Sequence, residues 1–96
     1  MRFVNKVLVA VIRHLVEKKC YGNKHVPEER VFKNFIRNLT KDDKRVLEKE
    51  YRKLLNEGYI YRMKKRTGSG EDWHISLNPH MVGQLYTLLE KDNEER

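Results

Sequence analysis

Apolar residues at Phe3, Val4, Val7, Leu8, Val11, Ile12, Leu15 and Val16 recur in pairs four apart, a spacing that lays one broad apolar stripe along a helix. It predicts a helix over residues 3–19. The β-branched run Val7–Ile12 would also suit a buried strand, but the stripe outlasts the usual strand. Gly22-Asn23 supplies a stop signal. After a short extended piece around His25-Val26, Pro27-Glu28-Glu29 opens a second helix, with proline at its first position and acids at the positive end of its dipole. Its buried face is Val31, Phe32, Phe35, Ile36 and Leu39, and the turn Asn38-Leu39-Thr40 keeps it short.

Thr40-Lys41-Asp42-Asp43 has the form of a capping box, Asp43 standing where Glu or Gln is usual. The third helix is expected to reach about Glu57, with Val46, Leu47, Tyr51, Leu54 and Leu55 inward and Gly58 at a left-handed cap. Strand formers fill Tyr59–Arg66, a tip follows at Thr67–Gly70, and Trp73–Leu77 can return antiparallel. Asn78-Pro79 starts a last helix, Asn as cap and Pro at the first position. Its stripe is Met81, Val82, Leu85, Leu88 and Leu89. Residues 1–91 therefore form one α+β domain, mostly helical, and 92–96 an acidic tail expected to fray.

Charge adds a direction. The 96 residues carry +7 and an isoelectric point near 9.6, which favours a polyanionic partner. Residues 1–40 hold nine Lys/Arg against three acids, while 78–96 hold two against four. Cys20 is the only cysteine, so no intrachain disulfide can form and a reducing, cytoplasmic setting is expected. The opening MRFVNKVLVAVIRH lacks a cleavage site of small residues, and no apolar run is long enough to span a bilayer.

Helix, short strand, helix, tight turn, helix, hairpin, helix is the order that emerges. With the Asn38-Leu39-Thr40 turn, the junction Leu54-Leu55-Asn56-Glu57-Gly58-Tyr59-Ile60 and the basic hairpin, the chain resembles a winged helix-turn-helix domain over roughly residues 3–91. The Leu-Leu-x-x-Gly-Tyr-Ile junction is similar to that of many small bacterial and archaeal transcription regulators. The resemblance implies duplex-DNA binding, with helix 40–57 in the major groove and hairpin 59–77 as the wing on the backbone or minor groove. Carried onto this sequence, Lys41, Lys44 and Arg45 become the base-reading candidates, since recognition helices read with their first turns. Lys49 and Arg52, with Lys53, would meet phosphate.

On the wing, Arg62, Lys64 and Arg66 alternate to one side and Lys65 to the other, a set suited to phosphate or minor-groove contact. Trp73 is expected to pack the hairpin against the core. Asp42 and Asp43 depart from an ideal DNA-reading helix. They keep open a second reading, a winged-helix module that binds protein or RNA inside a larger assembly. Val9, Ala10 and Tyr86 fall outside the main stripes, which suggests a homodimer through the first and last helices. No catalytic constellation is found. His14, His25, His74 and His80 show no metal-ligand spacing, Gly68-Ser69-Gly70 lacks the context of a phosphate loop, and no cofactor, small-molecule ligand or metal is expected.

Overall fold

The computed structural model describes residues 6–68 and 70–94; residues 1–5 with Phe3 and Val4 of the first stripe, Ser69 of the hairpin tip and 95–96 of the acidic tail lie outside them. The first stripe becomes α1, Lys6–Glu17, whose Leu8, Val9, Val11, Ile12 and Leu15 are all at most 2% exposed. So complete a burial makes α1 the centre of the core, each such side chain contributing about 1.5–3 kcal/mol. The helix stops before Gly22. Lys19 takes φ +55°, its N–H donates to Val16 O at 3.0 Å, and Cys20 N–H donates to Leu15 O at 3.0 Å. This is a Schellman closure with lysine at the left-handed position and the buried Leu15 and Cys20 as its apolar contact.

β1 is only Val26–Pro27, and Pro27 serves as the N-cap of α2, Glu28–Lys33, one position earlier than proline's preferred place. α3, Lys41–Asn56, begins at the capping box: Asp43 N–H donates to Thr40 Oγ1 at 3.1 Å, and Thr40 N–H to Asp43 Oδ2 at 3.4 Å. It ends in a second Schellman closure. Gly58 has φ +83°, and Tyr59 N–H donates to Leu54 O at 3.0 Å. β2, Ile60–Thr67, and β3, Gly70–Leu77, form the hairpin. Asn78 accepts from His80 N–H at 2.9 Å, caps a short 3-10 turn at Pro79–Met81, and leads into α4, Val82–Glu94.

Among the described residues the architecture is α+β: four α-helices and one antiparallel sheet of order β1-β3-β2. Ile60, Ile75 and Leu77 bring the root of the hairpin into the core, and Leu85, Leu88 and Leu89 of α4 complete it. Ser76 is fully buried and satisfies its hydroxyl on Gly22 O at 2.9 Å. Two expected core residues are exposed, Trp73 and Val46, the latter by 44%. Leu47, Tyr51 and Leu54 set the inward line of α3, and at about 100° per residue Val46 falls well to the side of it.

Candidate nucleic-acid interface

Across α3 from Leu47, Tyr51 and Leu54 lies an exposed arc that holds Lys41, Arg45, Lys49, Arg52 and Lys53, with Asp42 among them. The capping box consumes Asp43, leaving Asp42 as the acid on this arc. Arg52 pairs with Glu48 at 3.1 Å, both side chains about two-thirds or more exposed, a contact that stabilises the helix by only about 0.3–0.5 kcal/mol and yields readily to a stronger anion. Lys44 is placed differently. It turns towards α2 and the hairpin and lines the groove between them.

The hairpin is less uniform than its sequence. Strand register puts Arg62 opposite Ile75, Lys64 opposite Trp73 and Arg66 opposite Glu71, so the three cations share the face of Ile60, Ile75 and Leu77. That face turns towards the helices, and Arg62 is held there. Its Nε and a terminal nitrogen donate to Glu28 Oε2 and Oε1 at 2.6 and 2.9 Å, and the Tyr51 hydroxyl donates to Glu28 Oε2 at 2.6 Å. The guanidinium lies 3.9 Å over the ring of Trp73. One carboxylate thus joins α2, α3 and β2, and a cation–π contact adds β3.

Electrostatics follow the geometry. Burial raises the pKa of Glu28, but hydrogen bonds from Arg62 and Tyr51 and the Arg62 charge outweigh it, and the net shift is downward. Burial, then the bond to Glu28, pushes the Tyr51 phenol up, and the bond to Glu28 raises Arg62 despite desolvation. Arg62 is therefore a bracing residue, its guanidinium engaged by Glu28 and Trp73. Trp73 also departs from expectation: it is 39% exposed and stacks under Arg62, with Lys64 Nζ 5.3 Å from its ring. Lys64 reaches Glu71 at 3.5 Å, both exposed. Lys65 and Arg66 are exposed with no ion pair to another described residue.

Between α2, the first half of α3 and the hairpin runs an open groove of about 800 Å³. Phe32, Ile36, Leu47, Tyr51 and Trp73 form its floor, and Arg30, Lys33, Lys44, Glu29, Glu48 and Asp72 supply charges of both signs. On the opposite face of the sheet, His25 and His74 meet with their Nδ1 atoms 2.9 Å apart, a juxtaposition that spacing along the chain does not reveal. Their separation of 49 residues hid the pair.

Val9 is 2% exposed inside the monomer, so it offers no surface to a second copy. Tyr86 is 47% exposed. Among the described residues no helix is long and apolar enough to cross a membrane. No protein-family model, curated protein or solved structure matches the chain.

Proposed function

We propose that the chain is a winged-helix protein that binds duplex DNA as a small transcription regulator, α3 entering the major groove and the hairpin tip resting on the backbone. The observation that carries the reading is the exposed arc Lys41, Arg45, Lys49, Arg52 and Lys53 on a capped helix beside a basic hairpin. Lys41 and Arg45, nearest the N-terminus of α3, are the base-reading pair, and Lys49, Arg52 and Lys53 contact phosphate. Lys65 and Arg66 carry the wing's contact, with Lys64 released from its exposed pair with Glu71. The element order and the left-handed cap at Gly58 are compatible with this fold.

Fluorescence anisotropy of a labelled duplex at several salt concentrations tests the reading. Affinity should fall steeply with salt, and each lost phosphate contact should flatten the log–log slope by about 0.9. Replacing Lys49, Arg52, Lys65 and Arg66 with alanine should weaken binding across sequences; replacing Lys41 and Arg45 should also relax discrimination between sequences. Absence of binding at low salt refutes the proposal.

A second reading has its own observation. The groove with Trp73, Phe32 and Ile36 on its floor and mixed charges on its rim suits a protein segment better than a phosphate backbone. A stoichiometric protein complex that survives nuclease and high salt would favour that alternative.

A further inference from the structure

We propose that His25 and His74 form the protein half of a binding site for a late first-row transition-metal ion of the zinc and copper class. Their imidazoles meet at 78° with ring centroids 4.8 Å apart and Nδ1 atoms 2.9 Å apart. Two neutral imidazoles this close share one proton, one nitrogen donating and the other accepting. A metal ion takes the place of that proton, which moves to Nε2 of the donating ring so that both Nδ1 lone pairs face the ion. With metal–nitrogen bonds of about 2.0–2.1 Å and a tetrahedral angle, the two nitrogens would stand about 3.3 Å apart, so the rings need to open by only a few tenths of an ångström.

Neutral imidazole is the form a metal requires, and each ring here has the other as its polar partner. Met63 stands opposite His74 in the strand register and lines, with His25, Tyr61 and Asn23, a hollow of about 440 Å³ beside the pair. The order of divalent affinities, rising to Cu²⁺ and falling at Zn²⁺, tilts the choice towards copper. Lys65 lines the same hollow and opposes any cation. No group of three His, Cys, Asp or Glu converges among the described residues, so water or a partner ligand completes the coordination sphere. The ion would tie the segment before β1 to β3, the central strand.

Calorimetric titration of the full, untagged chain with Zn²⁺, and separately with Cu²⁺, at about pH 7.5 tests the site. One ion per chain should bind, copper tighter than zinc. His25→Gln and His74→Gln should each weaken binding by about tenfold or more, His80→Gln should leave it unchanged, and Lys65→Ala should tighten it. If a variant fails to fold, imidazole ¹⁵N shifts of the wild-type chain decide instead, because Zn²⁺ must move the His25 and His74 signals before those of His14 and His80. Binding unchanged in both glutamine variants overturns the proposal. So does wild-type binding weaker than about millimolar, or first shifts at other histidines.

Discussion

Removing the carboxylate charge of Glu28 should loosen the hairpin from the helices, by an amount the geometry sets. Glu28→Gln keeps the side chain's size but replaces a bidentate charged pair with a neutral amide, and the amide nitrogen has no lone pair for either Arg62 or the Tyr51 hydroxyl. Hydrogen bonds to charged groups contribute about 1.5–3 kcal/mol each. Breaking a fully buried pair costs about 3–5 kcal/mol, but the Arg62 and Glu28 side chains are 33% and 19% exposed, and solvent screens part of that. The expected loss is about 2 kcal/mol, or about 8–16 °C in Tm for a domain of this size.

Urea denaturation followed by circular dichroism measures the loss, and a cycle with Arg62→Met isolates the pair at about 1 kcal/mol of coupling. The acid limb checks the same contact. Because the folded-state pKa of Glu28 is depressed, its contribution is complete above the unfolded carboxylate value of about 4.3 and fades as pH falls through the folded value. In Glu28→Gln that acid-dependent part should vanish. A loss under about 0.5 kcal/mol with no coupling would refute the assignment of Arg62 as a brace. Arg62→Met should also lower stability without flattening the salt dependence of DNA binding.

Lys19 sits at φ +55°, so Lys19→Gly should stabilise the chain by about 0.5–1 kcal/mol, seen as a higher denaturation midpoint. Gly58→Ala should cost about 1 kcal/mol by the same assay: its φ is +83°, and the new Cβ would meet only Asn78 Nδ2 at 4.0 Å, so conformation alone is responsible. Thr40→Ala removes the capping oxygen that Asp43 N–H uses and should cost about 0.5–2 kcal/mol. His25 has a lowered pKa, so the unfolded chain takes up the proton first. Stability measured at a series of pH values should therefore decline as pH falls through about 6.5, and His25→Gln should flatten that decline.

Much of this architecture is local and therefore legible in the order of residues. The α1 stripe, the Thr40–Asp43 box, Gly58 and Asn78-Pro79 each act within a few positions of themselves, and each is found where its chemistry places it. The exposed cations of α3 were readable by the same periodicity. What escaped depends on partners distant in sequence. Glu28 read as an acid suited to a helix start and Arg62 as a wing cation, but their contact spans 34 positions. Trp73 was assigned to the core because a lone tryptophan on a strand usually packs inward; here a guanidinium covers one face instead. Val46 neighbours Leu47 in sequence, yet about 100° per residue carries it well off the inward line of the helix.

The sheet order has a consequence for how the molecule comes together. β1 and β2 never touch; each pairs only with β3, and the segment after α1 closes on β3 too, with Leu77 N–H donating to Cys20 O at 2.7 Å and Gly22 N–H to Leu77 O at 3.0 Å. A nascent chain that has emerged only as far as residue 69 therefore holds α1 to α3 but no sheet at all. One eight-residue strand then pairs with its hairpin neighbour β2 on one side and, about fifty positions back in the sequence, with β1 on the other. Such late, long-range closure is the slow step in chains of mixed topology. Until it occurs, β2 is an unpaired edge, and its Arg62, Lys64, Lys65 and Arg66 are what discourage pairing with another chain.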